Sequence, residues 1–156
     1  MSTDEQSSRA QKDNSKGLPI APPYTPVQVG KTCVLSVSQG CIITAVGREV
    51  GIRPWENDRT QKWKIEMKDG RYGFRNLQSG NLLGFHVFGN VVAGVSKLND
   101  WELFILDRVD GGYRFMTPHY WMWSEGFIVR PSLSERLVHS SDEGYYSPIE
   151  IEYVDG

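Results

Sequence analysis

From Thr32 onward the chain is written in short runs of alternating apolar and polar positions. Trp63-Lys64-Ile65-Glu66-Met67-Lys68 and Ile149-Glu150-Ile151-Glu152-Tyr153-Val154 both repeat at period two, the pattern of strands with one buried face. Trp101-Glu102-Leu103-Phe104-Ile105 is more apolar on both faces. No segment places apolar residues at helical spacing, so the pattern predicts an all-β chain of short strands.

These runs recur. Val29-Gly30, Asp69-Gly70, Asp110-Gly111 and Asp155-Gly156 fall at intervals of 40, 41 and 45 residues. The last three marks each follow one of these runs. After a mark come apolar positions two apart: Thr32 and Val34, Tyr72 and Phe74, Tyr113 and Phe115. Turn signals follow at Ser38-Gln39-Gly40 and Gln78-Ser79-Gly80, whereas Pro118-His119-Tyr120 stands there in the third period. One more β run closes each period: Val50–Arg53, Val91–Gly94 and Phe127–Arg130. Three units of about 40 residues, over roughly 30–69, 70–110 and 111–156, predict about twelve strands that can close on themselves and hide their edges.

Three-fold periodicity together with Gln61-Lys62-Trp63, a Gln-x-Trp signature, resembles the β-trefoil of the ricin-B-like lectins over residues 27–156. In that register Trp101 takes the place of the second Trp, with Asn99 in place of the Gln, and Ile149 takes the third. All three are expected on the buried face. The resemblance implies a non-enzymatic carbohydrate-binding module of the small fungal type, with a glycan or glycoprotein as partner. Fold alone does not fix function. The other trefoil reading is a protein-binding module, a protease inhibitor or fascin-like scaffold, using the long segment 132–146.

In the ricin-type lectins the loop after the third strand carries an aromatic platform and then Asn-Gln contacts. Here Gln61 is kept, Thr60 stands where the Asn would be, and Arg53 takes the platform position with Trp55 two residues on. A sugar needs an apolar ring face and directional hydrogen bonds, which Trp55, Asn57, Asp58 and Gln61 could supply. The alternative is a solvated loop with Trp55 packed over the barrel end. Arg53-Pro54 and Arg130-Pro131 fall at matching places in two units, with Gly94-Val95 in the other. Two such arginines could read an acidic glycan or peptide through their planar donor forks, or could simply end surface strands. His119 and Tyr120 lie at the third unit's aromatic turn, while Trp123 is expected in the core beside Leu83 and Ile43.

Composition narrows the rest. The 17 Lys and Arg against 19 Asp and Glu give a net charge of −2, which offers no basic field for nucleic acid. No apolar run approaches the ~18 residues of a membrane span. Residues 1–26 form a polar segment followed by Leu18-Pro19-Ile20-Ala21-Pro22-Pro23, expected to be a disordered tail and an extended linker. The tail has no apolar core of a secretory leader, which predicts a cytoplasmic protein, with unconventional secretion still open. Cys33 and Cys41 are expected as free thiols, because a hairpin would place Cys33 opposite roughly Val46. The histidines are scattered, and no Cys or His pair has ligand spacing, so no metal or cofactor is expected. There is no nucleophile elbow, phosphate loop, His-Glu-x-x-His or dinucleotide fingerprint, which argues against an enzyme.

Overall fold

The computed structural model describes residues 27–86, 89–119, 124–132, 134–140 and 145–156. The tail and linker expected over 1–26 lie outside them. The described residues form twelve strands: β1 (Thr32–Ser38), β2 (Cys41–Val46), β3 (Glu49–Arg53), β4 (Trp63–Lys68), β5 (Arg71–Asn76), β6 (Leu82–Phe85), β7 (Val91–Val95), β8 (Ile105–Val109), β9 (Gly112–His119), β10 (Ser124–Val129), β11 (Val138–Ser140) and β12 (Glu150–Val154). Short 3-10 turns at Arg59–Gln61 and Asp100–Glu102 precede β4 and β8.

Six strands close into a ring. β1 pairs with β4 (Cys33 opposite Trp63), and β4 with β5 (Ile65 opposite Phe74). A bridge from Tyr72 to Phe104 leads on to β8, which pairs with β9 (Leu106 opposite Phe115). A second bridge, Tyr113 to Ile149, reaches β12, which pairs back onto β1 (Ile151 opposite Leu35). The remaining strands form three hairpins, β2–β3, β6–β7 and β10–β11. They meet one another through Glu49 opposite Val92 and Asn90 opposite Val138. A barrel capped by three hairpins fits the β-trefoil.

The register explains the repeat. Trp63, Phe104 and Ile149 occupy equivalent inward positions and are fully buried, as are Leu35, Phe74 and Phe115 one layer away. Phe74 and Phe115 stack with centroids 5.1 Å apart, and the Trp63 indole donates to the Ile43 carbonyl at 3.1 Å. Each such side chain stabilises the barrel by about 1.5–3 kcal/mol. The periodic Gly70 and Gly111 turn the chain at φ +77 and +86, in the left-handed region where a Cβ is disfavoured.

Buried polar residues hold the 3-10 turns. Asn76 Nδ2 donates to the Thr60 carbonyl at 3.0 Å, and Thr117 Oγ1 to the Asp100 and Leu103 carbonyls, both at 3.0 Å. By the β1–β12 register the third such place belongs to Val37, which cannot donate, and among the described residues no 3-10 turn precedes β12.

Several sequence expectations change. The inward residues of β1 are Cys33 and Leu35, not Thr32 and Val34. Phe104, not Trp101, enters the barrel in the second unit, because the 3-10 turn uses the three residues before Leu103. Phe127–Val129 belongs to β10, not to the unit's last hairpin strand. Fully buried Ile128 thus fills the core place expected for Trp123, a residue outside the described ones. Arg130-Pro131 therefore follows the first hairpin strand, and Arg53-Pro54 the second, so the two do not correspond. The segment 132–146 is no simple loop, since it supplies β11 and the fully buried Leu137. Both cysteines are free. Cys33 stands opposite Tyr153 and Trp63 rather than Val46, because β1 spends most of its length on β12 and β4.

Candidate functional site

β3 ends on exposed Arg53, whose side chain makes no hydrogen bond or ion pair among the described residues, and the loop after it carries Trp55, 45% exposed. Asn57 takes a left-handed φ of +53 to turn the chain. Asp58 caps the 3-10 turn, its carboxylate accepting from Thr60 N at 3.1 Å. Gln61 is fully buried. Its Nε2 donates to the Pro54 carbonyl at 2.8 Å and Thr44 Oγ1 at 3.3 Å, and its Oε1 accepts from Glu56 N at 2.8 Å. Both amide hydrogens are spent on the loop, which corrects the expectation that Gln61 contacts a ligand: it is the clip that shapes the loop.

Arg130 is also spent within the protein. Its Nε donates to the Ser134 carbonyl at 3.0 Å, and its Nη1 reaches Ser38 Oγ at 3.3 Å and Cys41 Sγ at 3.4 Å. It ties the third unit to the β1–β2 turn and does not join Arg53 in a common site. His119 ends β9, and Tyr120 lies outside the described residues.

The second unit holds a site that the sequence reading did not reach. A groove of about 550 Å³ runs between β6, β7 and the 3-10 turn Asp100–Glu102, a volume typical of ligand pockets. Leu82, Phe85 and Val92 give it an apolar lining. Asn99, half-buried Trp101 and Glu102 stand along one side, and Arg48, Glu49 and exposed His86 along the other. β6 comes so close to the turn that a Cβ on Gly84 would lie 2.7 Å from the Trp101 carbonyl and 2.9 Å from Glu102 Oε2.

Glu102 is only 7% exposed. Its Oε1 accepts from Asn99 N at 3.3 Å. Burial pushes its carboxyl up to about 7, with the Asn99 N–H opposing and Asp100 adding to the rise. The missed signal was legible: Glu102-Leu103-Phe104 follows Gln61-Lys62-Trp63 at 41 residues, the same interval that separates Gly70 from Gly111.

Two other cavities have more polar linings. A hollow of about 240 Å³ adjoins the groove through Glu49, His86 and Val92 and ends at Arg136 and Leu137. A depression of about 680 Å³ near the β8–β9 turn is lined by Arg108, Tyr113, Glu150 and Tyr153. Among the described residues no group of three or more His, Cys, Asp or Glu side chains is placed to hold a metal, and no helix is long and apolar enough to cross a membrane.

Similarity to known proteins lies in the fold. No family model matches the chain, and no curated protein matches it in sequence. Among solved structures, the chain is similar to the Macrolepiota procera ricin B-like lectin in complex with lactose. The TM-score is 0.67 at 16% identity, over 82% of this chain and 99% of that one. It is similar to the Rhizoctonia solani agglutinin, with a TM-score of 0.62 at 15% identity, over 87% of this chain and 100% of the agglutinin. A GlcNAcα1-4Gal releasing endo-β-galactosidase from Clostridium perfringens matches with a TM-score of 0.68 at 17% identity, over 80% of this chain. The chain spans only 33% of that enzyme. The fold is thus the one found in ricin B-like lectins.

Proposed function

We propose that this chain is a non-enzymatic carbohydrate-binding module and that the second-unit groove is its main sugar site. One observation carries the reading. Trp101, Asn99 and the buried carboxyl of Glu102 flank an apolar surface, within a fold that the lactose-bound Macrolepiota lectin shares. An aromatic face takes the C–H side of a pyranose, while amide and carboxylate groups fix its hydroxyls. The loop with Arg53, Trp55, Asn57 and Asp58 is a second, more open contact surface, reached from its exposed indole.

The protein-binding alternative drew on a protruding 132–146 loop. β11 and Leu137 of that segment are built into the cap, which favours the carbohydrate reading. The match to one third of an endo-β-galactosidase suits a binding module carried within a larger enzyme as well as one that stands alone. A glycan array bearing neutral, acidic and amino sugars tests the proposal. Binding that free sugar competes away, with the bound glycan recovered intact, is the expected result. Absence of binding to every class overturns the proposal, and cleaved glycan would contradict its non-enzymatic part.

A further inference from the structure

The position two residues before the barrel ring is filled by an amide in one unit and by an acid in the next. Gln61 satisfies both its donors and its acceptor within its own loop. Glu102 uses one oxygen on Asn99 N. Its other oxygen, Oε2, lies over Gly84 and has no hydrogen-bond or ion-pair partner among the described residues, and Glu102 is one of the residues that line the groove.

The surroundings do not neutralise that oxygen. On its own turn stands Asp100, paired with Arg71 of β5 at 3.7 Å. From the β2–β3 turn comes Arg48, whose Nη2 donates to the Gly94 carbonyl at 2.7 Å, and at the start of β3 stands Glu49, paired with Arg136 at 3.6 Å. His86 follows β6. The groove-lining residues of β7 are Val92, Gly94 and Val95, and β9 offers Thr117, none of them titratable. No basic group pairs with Glu102 among the described residues.

We infer that the second-unit groove selects an amino sugar, seating its protonated amine on the carboxylate of Glu102. The inference rests on the reading of this groove as a sugar site. A buried carboxylate without a counter-charge is costly, which is why this one holds its proton up to about pH 7. A sugar hydroxyl donates a hydrogen bond but leaves the charge uncompensated, whereas an ammonium group does both. Binding then requires the ionised carboxyl. Below about pH 7 the proton must leave as the ligand enters, so affinity falls toward tenfold for each further pH unit.

Titration calorimetry on the full chain tests this with a glucosamine tetramer and its fully N-acetylated counterpart. The free amine form is expected to bind at least tenfold tighter near pH 7, where carboxylate and ammonium coexist, and to weaken at lower pH as the carboxyl takes up its proton and at higher pH as the amine loses its own. Glu102→Gln, which places the first unit's amide here, is expected to remove both the preference and the loss of affinity on the acid side. Equal binding of the acetylated form, or a preference that survives Glu102→Gln, overturns the inference. If both tetramers fail while a neutral glycan binds through Trp101, the amine selectivity is wrong and the sugar site stands. If no glycan binds at all, the reading of the groove fails with it.

Discussion

Gln61 and Glu102 hold the same place in consecutive units. Each ends a 3-10 turn, and each stands two residues before the ring that enters the barrel, Trp63 or Phe104. The amide closes its loop with three hydrogen bonds, whereas the acid, which lines a groove, leaves one oxygen without a hydrogen bond. One change of side-chain chemistry thus separates a loop clip from a candidate contact group.

The Glu102 carboxyl should make folding stability depend on pH. Its native pKa, about 7, lies above the ordinary 4.5, so the native state holds the proton more tightly than the unfolded chain. Sign follows directly: stability contributed by this group is full below about pH 4.5 and is lost as pH rises to about 7. At 1.36 kcal/mol per unit the loss is at most about 3 kcal/mol, and less where solvent reaches Oε2. Urea unfolding should show Glu102→Gln more stable than wild type at pH 8, with the gap closing near pH 4.

Gln61→Leu tests the clip. Leucine keeps the volume but leaves Glu56 N and the Pro54 carbonyl without their partner. A cost of about 1–3 kcal/mol is expected in chemical denaturation. Glycan affinity at the second-unit groove should stay within about twofold of wild type.

Gly84→Ala should disturb both fold and groove. The new methyl would press on the Trp101 carbonyl and Glu102 Oε2, forcing the 3-10 turn outward at a cost of about 1–3 kcal/mol. Thermal unfolding and glycan titration should both register the change.

The two thiols should separate by reactivity. Burial pushes Cys33 up to about 12. The Ser38 hydrogen bond outweighs the opposing effect of burial and, with a further contribution from Arg130, holds Cys41 below the ordinary thiol value. Iodoacetamide at pH 7.5 should label Cys41 alone in the native protein and both cysteines in urea. Arg130→Ala should slow the native reaction.

Much of the fold was legible because strand alternation and turn glycines are local signals. Met67, Arg108 and Tyr153 follow Trp63, Phe104 and Ile149 at one spacing, and Gly70 and Gly111 mark turns whose positive φ disfavours a side chain. The third unit was misread because its hairpin differs in both connections: β10 begins at Ser124, and eight residues separate it from β11. The groove was missed for a different reason. By residue type Trp101 is the counterpart of Trp63, whereas by register Phe104 holds that place. Which polar side chains are spent internally, as at Gln61 and Arg130, is a tertiary property that spacing does not carry.

The central claim is that sugar binds in the second-unit groove beside Trp101. Its most direct measurement is calorimetric titration of the best array glycan into wild type, Trp101→Ala and Trp55→Ala. At least a tenfold loss of affinity for Trp101→Ala, with Trp55→Ala within about threefold of wild type, is the expected result. Undiminished binding by folded Trp101→Ala would contradict it.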